Sequence, residues 1–335
     1  MKSIVHMPYQ APPWLPGGQA QTIWPALFAR RHFGPKPTYR RERWDTPDAD
    51  FIDVDFAPST GKMPNATQGQ TLLVLFHGLE GSSGSHYAEA FADWAVQHGV
   101  LYAVPHFRGC SGEINRAPRA YHSGDFEEIG WILQRMRQSY PLYKIICVGV
   151  SLGGNALLRW VQEMGDAAAK VVSAVASVCS PLDLTAAGHA IGRGFNRQVY
   201  TRMFLRTMKP KALERLALHP KLFDRERLMA ARDLYEFDNI FTGPLHGFKN
   251  TDDYWMRASA KPHLQQVRIP ALVLNARNDG FVPASSLPSQ HEVSSHVTLW
   301  QPQHGGHVGF PSGKPPGHVR AMPDAVGGWL LQHTS

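Results

Sequence analysis

From about residue 71 onward, short apolar runs alternate with segments of helical periodicity. The runs predict strands at 71–76, 100–107, 144–150, 171–178, 271–276 and 296–301. Most are apolar at nearly every position, which is typical of parallel strands buried on both faces by helices. The earlier run at 51–57 alternates apolar and polar positions, and predicts an antiparallel strand with one solvent-facing side.

Helical periodicity fills the spaces between these runs. It predicts helices at 86–99, 125–138, 152–165 and 322–334. Asp125 stands at the N-cap position of the second, and Glu128 three residues later completes a capping-box pattern. Strand–helix alternation of this length predicts βαβ units, and therefore an α/β fold with a mostly parallel, doubly wound sheet.

One long interruption divides the pattern. Residues 181–262 are mostly helical in composition, and we expect them to form a cap insertion over the carboxyl edge of the sheet. The core is then predicted in two parts, 46–180 and 263–335. Residues 1–45, rich in proline and tryptophan, are predicted to form an arm packed on that core.

Composition narrows the class of protein. With 43% apolar and 18% charged residues, the 335-residue chain has the composition of a soluble globular protein. We find neither an uninterrupted apolar run of about 18 residues, as a spanning helix needs, nor a secretory signal. Three cysteines without CxxC spacing argue against a disulfide framework and a thiolate zinc site, and favour a cytoplasmic setting.

The formal net charge of +7 is concentrated in one segment. Residues 193–232 contain eleven basic and three acidic side chains, a net charge of +8. A solvated helical face is the simpler interpretation, and peripheral contact of the cap with an anionic membrane is the alternative. No nucleic-acid-binding motif accompanies the charge, so we expect no nucleic-acid partner.

The strongest local chemical signal is Gly149-Val150-Ser151-Leu152-Gly153, which follows an apolar strand and precedes a helix. This is the strand–turn–helix context of a GxSxG nucleophile elbow, in which small flanking residues let the strand and helix approach. Neither the GxGxxG pattern of dinucleotide sites nor the Gly-Lys-Ser/Thr ending of a P-loop is present. Ser151 is therefore the predicted nucleophile.

A serine hydroxyl needs a base, and the base needs an orienting acid. His307 lies on a glycine-rich loop between the last strand and the last helix, and is preferred over His304 and over His77. Asp279 follows the strand at 271–276 and is the predicted acid, although it also suits a simple Asp-Gly turn. The order serine, aspartate, histidine is that of the α/β-hydrolases.

Negative charge developing on an ester oxygen needs two backbone N–H donors. We expect these from Leu152, the residue after the nucleophile, and from Leu79 in the loop after strand 71–76, with Glu80 as the weaker candidate. Arg108 is interpreted as a structural residue that pairs within its own loop.

Longer motifs, spread over nearly the whole chain, resemble those of the YheT-like family of α/β-hydrolases. They are PPWLPGGQAQTIWP, HGLEGSSGSHY, HFRGCSGEINRAPRAYHSGD, GVSLGGN, HGGHVGF and a spaced signature from Asp238 to Asp279. Two positions depart from the family pattern. Trp255 stands where tyrosine is expected, and Arg277-Asn278-Asp279 has one aspartate where relatives often have two.

The resemblance implies a catalytic triad of Ser151, Asp279 and His307, with no metal and no organic cofactor. It also implies hydrolysis of short- to medium-chain carboxylic esters, with a small-molecule ester or lipid-like substrate. Cap side chains predicted to shape an acyl pocket are Phe195, Tyr200, Met203, Phe204 and Leu205, although ordinary cap packing explains them equally well. An alcohol acyltransferase with the same triad and a non-catalytic binding protein of this fold are the alternatives.

Overall fold

The computed structural model describes residues 9–58 and 69–334. Residues 1–8 of the predicted arm therefore lie outside the described part of the chain. The strands within it are β1 (Arg40–Asp45), β2 (Phe51–Ala57), β3 (Thr71–Phe76), β4 (Leu101–Pro105), β5 (Lys144–Val150), β6 (Ala174–Val178), β7 (Ala271–Leu274) and β8 (Val297–Trp300).

The helices are α1 (Gly18–Leu27), α2 (His86–Gln97), α3 (Phe126–Ser139), α4 (Leu152–Met164), α5 (Leu184–Ile191), α6 (Gly194–Asn196), α7 (Arg202–Leu218), α8 (Arg225–Ala230), α9 (Leu234–Ile240), α10 (Thr242–Leu245), α11 (Thr251–Ala258) and α12 (Ala321–Leu331). A π-helical turn at Arg197–Thr201 joins α6 to α7. Within the described ranges, no helix has both the length and the apolar character that a membrane-crossing segment requires.

The strands form one sheet in the order β1-β2-β4-β3-β5-β6-β7-β8. β1 and β2 are antiparallel to their neighbours, and the pairs from β4 to β8 are parallel. One apolar cluster joins the sheet to α3 and α4, and a second joins its other face to α2 and α12. The predicted α/β class with a mostly parallel, doubly wound sheet is therefore confirmed.

Seven helices, α5 to α11, lie between β6 and β7. Part of this segment has an apolar core of its own, in which Leu205, Ala212, Phe237 and Phe241 are buried. The predicted division of the chain at 181 and 262 stays a prediction.

The prediction of a solvent-facing side for β2 is wrong, since all seven of its residues are buried. Its polar positions, Asp53 and Asp55, are covered by arginines of the neighbouring β1. Arg43 Nε donates to Asp53 at 2.8 Å, and Arg41 Nε donates to Asp55 at 2.7 Å. Strand β1 was not predicted, because RRERWD offers only one buried position, Trp44.

The N-cap of α3 is confirmed, since the Asp125 carboxylate accepts from the Glu128 N–H. The second half of the predicted capping box, a hydrogen bond from the Asp125 N–H to the Glu128 carboxylate, is not observed. The Glu128 carboxylate instead accepts from Arg108 Nε at 2.6 Å. Arg108 also pairs with Asp48 and Asp50 at 2.9 and 2.8 Å. It is structural, as expected, but its partners lie outside its own loop.

Candidate active site

Ser151 lies in the sharp turn between β5 and α4, with φ 53° and ψ −121°. A positive φ costs a residue with a side chain about 1–3 kcal/mol, so the surroundings must hold it there. A Cβ on Gly149 would lie 2.4 Å from Gly154 Cα, and one on Gly153 would lie 2.4 Å from the Phe76 carbonyl oxygen. Only glycine permits this close approach of strand and helix, as the GxSxG pattern predicts.

His307 and Asp279 meet Ser151 at the carboxyl edge of the sheet. His307 Nδ1 lies 2.8 Å from Asp279 Oδ2, and His307 Nε2 lies 3.1 Å from Ser151 Oγ. With the Nδ1 proton donated to the carboxylate, Nε2 is free to accept from the serine hydroxyl. The other carboxylate oxygen of Asp279 accepts from the Phe281 N–H at 2.7 Å. The Phe281 ring also stacks on the imidazole, with centroids 4.1 Å apart.

Neither competing histidine reaches the serine. His304 is exposed, and its Nδ1 lies 3.5 Å from the Asn278 amide. His77 is buried, and its Nε2 accepts from the Phe107 N–H at 3.1 Å. Burial lowers the pKa of His77 to about 3, so it stays neutral and serves the backbone of the neighbouring loop.

We call the hydrogen-bonded set of Ser151, His307 and Asp279 the relay. Cys179 lies beside it. Its sulfur and the donor atoms of Asp279 and His307 all lie within 4.8 Å of one another, a grouping able to surround a metal ion. A thiolate would be needed for that, and burial raises the pKa of the Cys179 thiol. The sulfur instead accepts from the Val308 N–H at 3.3 Å. The donor set therefore suits a proton relay better than a metal.

The two N–H groups expected to stabilise an oxyanion, those of Leu79 and Leu152, both border the cavity above Ser151. Among the described residues, neither N–H has an acceptor. The weaker candidate, Glu80, uses its own N–H to donate to Tyr121 Oη at 3.0 Å. The geometry thus leaves the predicted pair, Leu79 and Leu152, available to a ligand.

Residues 71–314 match the family model described as the alpha/beta hydrolase fold. The chain belongs to the α/β-hydrolase family. It is 36% identical, over 88% of its length and 84% of the relative's, to YheT of Escherichia coli (strain K12), which is named as an esterase. It is 27% identical to human phospholipase ABHD3, over 92% of this chain and 75% of that protein. The esterase Pf2001 of Pyrococcus furiosus superposes with a TM-score of 0.55 at 14% identity, covering 89% of this chain and 93% of its own.

In this α/β-hydrolase, the segment before β1 contacts the residues around Asp279 and His307. Helix α1 holds both loops that carry the relay. Thr22 Oγ1 accepts from the His307 N–H at 2.8 Å, and Gln21 Oε1 accepts from the Gly305 N–H and the Asn278 amide, both at 2.9 Å. Sequence reasoning missed this support, because Thr22 and His307 are 285 positions apart.

A second unpredicted contact of this hydrolase joins α7 to the loop that contains Leu79. Glu80 has φ 57° in a turn closed by a bond of 2.9 Å from the Gly81 N–H to the Gly78 carbonyl. One of its carboxylate oxygens accepts from Tyr121 Oη at 3.0 Å, and the other lies 2.8 Å from Lys211 Nζ of α7. The turn beside Leu79 is therefore fixed from two directions.

Above Ser151 the hydrolase has a cavity of about 510 Å³, within the range typical of small-molecule sites. Its lining is mainly apolar. Of the cap residues expected to shape it, Tyr200, Met203 and Phe204 do line it. Phe195 instead points to solvent, with 52% of its surface exposed, and Leu205 packs in the apolar cluster with Ala212 and Phe237.

Asp238 of α9 contributes a carboxylate to the cavity wall. It accepts from Trp255 Nε1 at 2.9 Å and from Thr242 Oγ1 at 2.6 Å. Burial raises the pKa of this carboxyl to about 6. The tryptophan that departs from the family pattern thus has a defined partner here.

Proposed function

We propose that this α/β-hydrolase is a serine hydrolase that cleaves carboxylic esters with short- to medium-chain acyl groups through an acyl-serine intermediate. The observation that carries the proposal is the relay from Ser151 Oγ to His307 Nε2 at 3.1 Å and from His307 Nδ1 to Asp279 at 2.8 Å. Relatives named as an esterase, a phospholipase and a monoacylglycerol lipase support hydrolase activity on esters.

The proposed reaction follows from this geometry. His307 Nε2 takes the hydroxyl proton as Ser151 Oγ attacks the ester carbonyl carbon, and Asp279 stabilises the imidazolium that forms. The carbonyl oxygen becomes negative and accepts from the N–H groups of Leu79 and Leu152. When the carbon–oxygen bond breaks, His307 returns the proton to the departing alcohol. Water then attacks the acyl-serine with His307 again as base, releasing the acid.

The substrate proposed is a small-molecule ester or lipid-like ester, because the cavity walls offer apolar contact rather than charge pairing. The cap, for which we propose residues 181–262, supplies much of that wall through α5, the π-helical turn, α7 and α9. A series of aryl esters of increasing acyl length will define the preferred chain.

Replacing the nucleophile tests the proposal directly. We expect Ser151→Ala to lower kcat for a p-nitrophenyl ester by at least about a thousandfold, because His307 then has no hydroxyl group to deprotonate. The matched control is Ser173→Ala, the same change at the opposite edge of the sheet, which should retain activity. Near-normal turnover by the Ser151 variant would remove this residue from the mechanism.

A fluorophosphonate probe separates the alternatives. We expect it to label the wild-type protein and not Ser151→Ala. An unlabelled wild type would instead support a non-catalytic binding protein. A product ester formed from an added short alcohol, in preference to the free acid, would support an acyltransferase.

A further inference from the structure

The structure separates ten of the eleven basic residues of segment 193–232 into two groups, and the half-buried Arg197 belongs to neither. Lys209, Lys211, Arg215 and Arg232 bind groups within the protein, namely backbone carbonyls, Glu80 and Glu236. The exposed basic residues for which the described part of the chain contains no acidic partner are Arg193, Arg202, Arg206, Lys221, Arg225 and Arg227. Much of the excess charge is therefore available to a partner.

Some of these arginines share a helical face with exposed apolar side chains. Along α6, the π-helical turn and α7, positions three or four apart lie side by side. Exposed positions with this spacing are Phe195, Val199, Arg202, Met203 and Arg206. Phe195 and Met203 have 52% and 51% of their surfaces exposed. The opposite face of the same run is buried, as Tyr200, Leu205 and Ala212 show.

Helix α1 borders the same surface. Gln19 of α1 donates to Asn196 Oδ1 at 2.8 Å and accepts from Tyr200 Oη at 2.6 Å, which joins the two elements. At the end of α1, Leu27 and Phe28 have 63% and 58% of their surfaces exposed.

This exposed surface surrounds the entrance to the cavity. Leu27, Val199 and Met203 line the cavity and are also exposed, so they form its mouth. We call the surface made by Leu27, Phe195, Val199, Met203, Arg202 and Arg206 the docking face.

We propose that the docking face binds the surface of an anionic lipid bilayer, so that the mouth of the cavity opens toward the lipid. An apolar patch beside unpaired arginines suits this partner, because the apolar side chains enter the headgroup boundary while guanidinium groups bind lipid phosphates. The proposal deepens the proposed function, on which it rests for the idea that a lipid ester is delivered to Ser151.

The experiment uses the full chain and lipid vesicles. We expect the protein to float with vesicles of phosphatidylcholine containing about a third phosphatidylglycerol, and to bind phosphatidylcholine vesicles much more weakly. Added salt should weaken binding, since it screens exposed charges beyond about 10 Å at 0.1 M. No flotation with anionic vesicles at low salt overturns the proposal.

Paired charge reversals locate the surface. Arg202→Glu with Arg206→Glu should lower the partition coefficient onto anionic vesicles by at least about twentyfold, since each basic residue near such a surface is worth roughly a factor of five. Arg225→Glu with Arg227→Glu changes the net charge equally on α8, outside the docking face, and should keep binding within about threefold. Equal losses in both pairs would show attraction by net charge alone and overturn the proposal.

The apolar part is tested in the same way. Phe195→Ser should weaken binding about fivefold through lost apolar burial. Met256→Ser, at a side chain that is 63% exposed but lies outside the docking face, should have no such effect. Binding of duplex DNA with the same dependence on Arg202 and Arg206, or dimers formed through the docking face in place of vesicle binding, would assign the surface to another partner.

Two measurements keep this proposal separate from the proposed function. Hydrolysis of a water-soluble p-nitrophenyl ester by each variant reports folding and the relay, without lipid. Ser151→Ala should bind vesicles as the wild type does. Loss of vesicle binding with intact ester hydrolysis sinks only the docking proposal, whereas vesicle binding without any hydrolysis sinks only the proposed function.

Discussion

Glu80 occupies the third position of a tight turn with φ 57°, a place that favours glycine. A left-handed conformation costs other residues about 1–2 kcal/mol. The side chain explains why glutamate stands there, because its carboxylate accepts from Tyr121 and pairs with Lys211 of the cap. The strained residue therefore fixes the loop that presents the Leu79 N–H.

Glu80→Gly tests this role, because it relieves the backbone strain while removing both contacts. We expect kcat for a soluble ester to fall about tenfold, less than the loss of a whole oxyanion donor would cost, with no fall in the free energy of unfolding beyond about 1 kcal/mol. Glu80→Gln, which can still accept from Tyr121, should lose less. Full activity in the glycine variant would show that the side chain has no part in positioning Leu79.

At the residue scale, the local sequence was enough to locate the three residues of the relay, but not the residues that support them. Ser151, Asp279 and His307 each follow a strand in a short motif, so their positions could be predicted one by one. Nothing in HGLEG tells which residue takes a positive φ, and nothing near Tyr121 indicates that its hydroxyl serves a loop 41 positions earlier.

Among the elements, α1 has the largest influence on the site for its size. Its backbone approaches the histidine loop so closely that a Cβ on Gly309 would lie 1.7 Å from the Gln21 carbonyl oxygen. Thr22 and Gln21 then accept three hydrogen bonds from the loops that carry His307 and Asp279. We infer that α1 sets the distance between base and nucleophile.

Thr22→Val tests this inference with little change of shape. It removes the acceptor for the His307 N–H, and a buried N–H without a partner costs about 1–3 kcal/mol. We expect kcat to fall about tenfold with KM nearly unchanged, because a displaced imidazole weakens proton transfer rather than substrate binding. Thr22→Ser keeps the hydroxyl and should behave as the wild type. Equal kinetics for the valine and serine variants would contradict the inference.

The elements that sequence could and could not predict differ in where their partners lie. After their first residues, Thr71 and Lys144, β3 and β5 contain no polar side chain, so burial on both faces could be predicted from their composition. β1 could not be predicted, because its arginines are explained only by the aspartates of β2. The same pairing buries the face of β2 that was expected to meet solvent. Strand order and neighbours depend on such distant pairings, which periodicity does not report.

At the scale of the whole molecule, the protonation of Asp238 makes the free energy of unfolding depend on pH. Burial raises its pKa from 3.8 to about 6, so the folded protein binds this proton more tightly than the unfolded chain does. Its contribution to stability is therefore full below about pH 4 and is lost as the pH rises through about 6. We expect the free energy of unfolding of the wild type to fall over this range by about 2 kcal/mol more than that of Asp238→Asn.

Urea unfolding at several pH values measures this difference. Asp166→Asn, the same change at an exposed position with no bonded partner among the described residues, is the control and should leave the slope unchanged. An identical pH slope in the wild type and Asp238→Asn would show that this carboxyl is already ionised in the folded protein at pH 5.

The distance along the chain between α1 and the histidine loop has a consequence for biosynthesis. Thr22 is translated 285 residues before its partner His307. At the usual pace of about 5–20 residues per second, the helix waits roughly 15 to 60 s on the ribosome. During that time the side chains of Gln21 and Thr22 have only their local partners, the carbonyl groups of Leu15 and Gly18, and the relay lacks its histidine. In a nascent chain of this hydrolase, the geometry that joins Ser151, Asp279 and His307 can therefore form only after the final loop emerges.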